Sequence, residues 1–308
     1  MSKIKYIPIL ALSALLASCG VFGGKAPKFA DSGEEVKYSD FYTRCNDSIS
    51  DSDVYDLDAN LTDRYIKESV YESRNVVVKR DGKEIRKNET VGSSKSEYQF
   101  DVDNLVGKVT GEGKTTYKIK DPEGTGNYTI NSKTERYYQF QKESGVKYLI
   151  LANAKTKEYN RREQVSSARK QEDIFNDVIR QEISYMFTEF RRYIPSSSSE
   201  AKDYLFYIKD ENLFTISLTN EETTKADDYN VVTKNKIKVQ LDTTDKKQAV
   251  RISSEIQNES TYKKDIGSYK KGDVVSETLI TYRDCSVTNK DIKLSSVDIG
   301  DYLLTSSY

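Results

Sequence analysis

The stretch "YLFYIKDENLFTISL", residues 204 to 218, sets Tyr204, Phe206 and Ile208 two apart, passes through a polar interval, and then sets Phe214, Ile216 and Leu218 two apart. Period-two alternation turns every second side chain to the same side of a strand, so each run reads as a strand with one apolar face. Sequential runs of this kind joined by short turns favour an antiparallel meander. The pattern recurs outward in both directions. Upstream lie Val76 and Val78, then Tyr98, Phe100 and Val102, then Tyr138 with Phe140, then Val146, Tyr148 and Ile150; downstream lie Ile237, Val239 and Leu241, then Val250 and Ile252, then a long run near Val275 to Thr281. Asp81-Gly82, Glu112-Gly113, Asp121-Pro122 and Ser144-Gly145 supply turn chemistry between the upstream runs.

The period changes in one place. Asn160 and Glu163 have the spacing of a capping box, and Phe175, Ile179, Ile183, Met186, Phe187, Phe190 and Ile194 then recur at steps of three and four, opposite Arg180, Glu189 and Arg192. Pro195 and four serines end the pattern. The spacing predicts an amphipathic helix over 161–194 that covers the apolar face of the sheet, since no other segment can cover so much alternating apolar surface.

The N-terminal residues carry a different message. Lys3 and Lys5 precede an apolar stretch from Tyr6 to Ala17, broken only by Pro8 and Ser13, and polar chain resumes near Gly23. A membrane-spanning helix needs roughly 20 apolar residues, so the segment reads as a secretory signal. Its last residues, Leu16-Ala17-Ser18-Cys19, resemble the lipobox of bacterial lipoproteins. That resemblance implies residues 1–18 as a cleaved signal, a diacylglycerol on the sulfur of Cys19, and anchorage on the extracytoplasmic face of a bacterial cell membrane. The bilayer is then the first expected partner. Residues 19–37, rich in glycine and charge without periodicity, read as a flexible tether, and residues 38–308 as one domain.

Composition narrows the chemistry. With 48 Lys+Arg against 49 Asp+Glu the chain has no excess of positive charge, and nucleic acid is not an expected partner. The chain contains no histidine, which removes the commonest general base and the usual triads and histidine metal sites. Carboxylates are abundant, but no spacing singles out an acid–base pair, so neither an enzyme nor a cofactor is expected. Residues 38–61 are acidic; a calcium loop starting at Asp56 would put Leu61 where glycine is needed and Lys67 where glutamate is needed, so the segment reads as solvated and no metal is expected. Cys45 and Cys285 remain after Cys19, and in an oxidising compartment they are either a disulfide or two buried thiols. A hydrophobic share of 36%, a charged share of 31% and 23 tyrosines suit a thin, sheet-rich fold with much wetted surface.

The order strands, helix, strands and the stretch "GDVVSETLITYRDCSVTNKDIKL", residues 272–294, with its Ile280-Thr281-Tyr282-Arg283-Asp284 run, resemble the LolA, LolB and LppX/LprG lipoprotein carriers. The resemblance implies an α+β fold in which a long antiparallel sheet curls as a half-barrel around the amphipathic helix, with acyl chains held between them. In this chain such a groove would be lined by Phe100, Phe140, Ile150, Ile179, Ile183, Phe187, Phe190, Phe214 and Val239. The sequence departs from the family where strand positions alternate with Lys, Glu and Thr. The alternative is that the same side chains form a closed core, as in a surface or envelope interaction lipoprotein whose protein partner is unknown.

Overall fold

The computed structural model describes residues 26–50, 63–244 and 247–306. A short strand β1 (Glu34–Val36) and a helix α1 (Tyr38–Ser50) precede six strands: β2 (Arg64–Arg80), β3 (Lys83–Asp101), β4 (Val106–Asp121), β5 (Gly124–Glu143), β6 (Val146–Asn153) and β7 (Glu158–Gln164). Helix α2 (Gln171–Arg191) follows. The chain then returns through β8 (Tyr204–Lys209), β9 (Leu213–Lys225), β10 (Tyr229–Thr244), β11 (Lys247–Tyr262), β12 (Val274–Asn289) and β13 (Leu303–Ser306). All thirteen strands join one sheet in the order β1-β8-β9-β10-β11-β12-β2-β3-β4-β5-β6-β7-β13. Every pairing is antiparallel except β13 with β7.

This architecture corrects the expected α+β half-barrel around a helix. Strand accounts for 61% of the described residues and helix for 14%, and the sheet they form is not closed. Geometry supplies the reason. β2 to β5 and β10 to β12 run for 16 to 20 residues, about 50–65 Å at about 3.3 Å per residue, whereas a helix is only about 10 Å across. Helix α2 starts beside β6, where Lys147 Nζ donates to Gln171 Oε1 at 3.1 Å, and ends beside β12, where Arg283 meets Glu189. Those strands lie five neighbours apart, about 24 Å, comparable to the roughly 31 Å length of a 21-residue helix. Helix α2 therefore lies across the strands at one end. The rest of each long strand stands clear of it.

Local signals explain most boundaries, including those the sequence reading misplaced. Asp81 and Gly82 both take positive φ, as a tight hairpin turn requires, and so do Ser144 and Gly145. Glu112-Gly113 is not a turn: both lie inside β4, with Gly113 opposite Ser94 and Ser132. Asn160 and Glu163 belong to β7, and α2 begins ten residues later, where the Lys170 N–H donates to the Asp173 carboxylate at 3.2 Å. The strand alternation around Tyr159 was masked by charged side chains. The part of residues 38–61 that is described is also not a solvated segment. It forms α1, whose Phe41, Cys45 and Ile49, four apart, are completely buried.

The described end of the expected tether is docked as well. Ala30 exchanges hydrogen bonds with the Gln240 side chain at 2.9 and 3.2 Å, and Glu34–Val36 pair with β8. Gly33 makes this approach possible: its φ is +85°, and a Cβ there would sit 2.4 Å from the Ile208 carbonyl oxygen.

The core lies between the helices and the covered end of the sheet. Phe41 and Ile49 of α1 and Ile174, Phe175, Ile179, Ile183, Phe187 and Phe190 of α2 pack against Ile66, Phe100, Leu149, Phe206, Phe214, Ile216, Val239, Leu241, Val250 and Val287. A second, small cluster of Ile150, Ala152 and Ile299 forms where residues 292–302 cross the opposite face. Asp63 and Asp101 hold that crossing by accepting the N–H groups of Ile292 and Leu294, both at 2.7 Å.

Candidate functional site

Seven of the nine residues assigned to a groove, Phe100, Ile179, Ile183, Phe187, Phe190, Phe214 and Val239, are 0% exposed and belong to the one core. Phe140 packs at its edge. Ile150 does not join them. In β6 it is Leu149 and Leu151 that turn toward the helix, so Ile150 faces the other side of the sheet and enters the small cluster with Ile299. These contacts make the positions a packed interior. Gly107 shows how tight it is: a Cβ there would lie 2.9 Å from the Phe100 ring.

Cys45 and Cys285 share that interior as free thiols, so the bridge is not formed in the structure. Burial pushes the Cys45 thiol up to about 12, only partly opposed by Arg191, and pushes Cys285 up further, with Glu68 adding to it. Both stay protonated and unreactive near neutral pH. Cys19, the lipidation candidate, lies outside the described residues, as do Asp56 and Leu61 of the rejected calcium loop; Lys67 lies in β2. Among the described residues no acidic or sulfur cluster is arranged to hold a metal ion.

At the boundary between covered and uncovered sheet lies a cluster of charges. Register places Glu68, Val70 and Glu72 of β2 opposite Cys285, Arg283 and Thr281 of β12, all on the helix side. Arg283, whose side chain is 7% exposed, donates from Nε to Glu68 Oε1 at 2.7 Å and forms an ion pair through Nη1 with Glu189 Oε2 of α2 at 2.8 Å. Its guanidinium also sits over the Tyr185 ring, 5.0 Å from the centroid. Arg192 reaches the other oxygen of Glu189 at 2.5 Å. Burial opposes the charge on Arg283, but the two carboxylates outweigh it and hold the group above its ordinary range. Glu72 is raised by burial, partly offset by Arg283. Glu182 is likewise raised by burial, although Tyr138 donates to it at 3.1 Å.

In the sequence Arg283 stands within the Ile280-Thr281-Tyr282-Arg283-Asp284 run and Glu189 on the polar face of the helical pattern. A buried ion pair between residues 94 apart leaves no periodic trace. The signal that existed was Glu68 and Glu72 at alternating positions of a strand face that is otherwise apolar at Ile66 and Val70. Chemically the cluster pins α2 to β2 and β12. It presents no nucleophile and no paired acid and base.

Beyond this cluster no described helix lies on the sheet, and most side chains on both faces are partly exposed, with Val78 and Asp273 as buried exceptions. Neutral and charged rungs replace the core. Arg74 meets Glu277 at 2.6 Å, Lys118 meets Glu89 at 3.0 Å, Lys120 meets Glu84 at 2.9 Å and Lys234 meets Glu221 at 3.1 Å, each across neighbouring strands. Tyrosines stack between them: Tyr117 on Tyr128 at 4.7 Å, Tyr71 on Tyr282 at 5.7 Å, and Tyr262 on Tyr269 at 4.6 Å between ring centroids. Cross-strand pairs of this kind contribute about 0.2–1 kcal/mol each, which holds the strands together without a second layer. The far end is closed by Asp273, whose two oxygens each accept from Arg80 at 2.9 Å; the pairing with Arg80 is the main reason its carboxyl lies below the usual range.

No family model matches the chain, and no curated protein matches it. Among solved structures, OccK7 (OpdD) of Pseudomonas aeruginosa aligns over 73% of this chain and 99% of its own at 8% identity, with a TM-score of 0.18. The translocator domain of the autotransporter NalP from Neisseria meningitidis aligns over 80% and 95% at 11% identity, with a TM-score of 0.12. Scores this low do not establish a shared fold.

Proposed function

We propose that the chain is a lipid-anchored, extracytoplasmic bacterial protein that presents its single-layered sheet to a partner at the cell envelope. The observation that carries this reading is the division of the molecule. Its large packed core lies at one end, while the long strands extend beyond it with tyrosine, lysine, glutamate, threonine and valine, most of them partly exposed. A carrier needs a cavity beside α2; here eight of the nine side chains assigned to one lie in or against the packed core. The lipobox-like Leu16-Ala17-Ser18-Cys19 supports the anchor.

Two measurements test the parts separately. Cys19→Ala should abolish incorporation of labelled fatty acid and shift the protein out of the membrane fraction; normal labelling removes the anchor. A photocrosslinking amino acid at Tyr71 or Tyr282 in the single layer should give a specific adduct on cells, whereas the same substitution at Tyr42 on α1, which is 47% exposed, should not. Adducts from Tyr42 alone would move the interaction to the helical end.

A further inference from the structure

The two long margins of the single layer differ. Among the described residues, β8 pairs on one side only with Leu213–Leu218 of β9, and no described strand lies on that side of Thr219–Lys225; that edge carries Glu221, Glu222 and Lys225. On the other side β6 pairs only with Arg136–Glu143 of β5, and no described strand flanks Gly124–Glu135, an edge about 40 Å long at about 3.3 Å per residue. Its sequence, "GTGNYTINSKTE", contains no proline and only two charges, both at one end. Proteins ordinarily protect such an edge with charge, proline, a bulge or a covering segment, because its backbone groups template another strand. Here the register with β4 is regular throughout.

The backbone direction can be read off. The Glu135 carbonyl accepts from Ala154 N–H at 2.9 Å, so it points to the β6 side. In an antiparallel ladder every second residue points the same way, so Lys133, Thr129, Asn127 and Thr125 aim their N–H and C=O outward at the open edge. Tyr128 and Ile130, 49% and 50% exposed, stand on one face of it.

We infer that this edge of β5 is a self-association site, pairing antiparallel with the same edge of a second copy about a twofold axis through Thr129. In that register Thr129 faces Thr129, and Thr125 faces Lys133, so the outward backbone groups meet as hydrogen-bonded pairs. Tyr128 falls opposite Ile130 of the second copy, and Ile130 opposite its Tyr128. This makes two aromatic to β-branched cross-strand contacts from the two large apolar residues the edge exposes. No lysine faces a lysine. A twofold contact of one patch with itself is the commonest form of assembly. The margin on β9 is shorter, Thr219–Lys225, and exposes no large apolar side chain that could make such a pair. The inference goes beyond the display reading and stands without it.

The test uses the full-length protein in membranes. In a Thr129→Cys variant, paired residues at the axis would bring their Cα atoms to about 5.5 Å, within disulfide reach, and mild oxidation should give a covalent dimer. Cys45 and Cys285 are buried and do not compete, and the parent protein, which carries Cys19 and Thr129, should give no covalent dimer under the same oxidation. Glu221→Cys on the opposite margin should stay monomeric, and Ile130→Lys placed in the Thr129→Cys background should reduce the dimer at least tenfold while the thermal midpoint stays unchanged. Sedimentation of detergent-solubilised protein should show a concentration-dependent dimer that Ile130→Lys removes. Absence of the Thr129→Cys dimer, equal crosslinking from Glu221→Cys, or crosslinking of Thr129→Cys to a different protein would each overturn the inference.

Discussion

Val239 and Leu241 lie on the same strand and, by register, on the same face as Val231 and Thr233, yet the first pair is completely buried and the second half-exposed. The same contrast runs across the sheet: Phe100 against Thr90 on β3, Tyr138 against Tyr128 on β5. Alternation is continuous along each strand. What changes is whether a helix lies above it. The covered end is held by apolar packing and one buried ionic cluster, and the single layer by backbone ladders and exposed pairs, so the two ends should differ several-fold in sensitivity to substitution.

The largest expected effects fall at the covered end. Phe187→Ala should cost about 3–5 kcal/mol, measured by the denaturant midpoint, whereas Ile130→Ala in the single layer should cost less than about 1 kcal/mol. Comparable losses would break the distinction. Next comes the charge comparison: Arg283→Ala strands Glu68 and Glu189 in a buried site and should cost about 3–5 kcal/mol, while Arg74→Ala, which frees a partly exposed Glu277, should stay within about 1 kcal/mol and shrink further in high salt. Gly107→Ala, which forces a methyl against the Phe100 ring, should cost about 1–3 kcal/mol, against near neutrality for Gly124→Ala, where nothing lies within 4 Å.

Smaller still is a pH-dependent gain. Glu182 has its folded pKa raised by burial, so it binds a proton more tightly folded than unfolded, and its contribution to stability is present below the unfolded value and lost as pH rises through the folded one. Glu182→Gln should therefore raise the thermal midpoint at neutral pH and leave it unchanged below about pH 4, near the reference value for glutamate. A gain equal at both values would mean that the effect is not the carboxylate's charge. The smallest expected change is none: delipidated protein should show no melting shift with long-chain lipids, and a clear shift would reopen the covered end as a ligand site.

Much of the sheet was legible because period-two alternation is a local property of the chain: Phe214, Ile216 and Leu218 announce one face with no knowledge of what lies above it. The face of α2 was legible for the same reason, through Phe175, Ile179, Ile183 and Phe187. The sequence by itself also determined the absence of histidine chemistry. Tertiary structure alone decided which stretch of each strand is covered, that Ile150 turns away from Phe100, that Cys45 and Cys285 remain thiols, and that Arg283 finds Glu68 and Glu189. It decided as well that β6 stops short of β5's far half and leaves an edge open. The physical reason is one of lengths. Alternation fixes the direction of a side chain at each residue, but burial depends on where a helix about 10 Å wide comes to rest on strands five times longer, and that position is set by contacts between residues far apart in the chain.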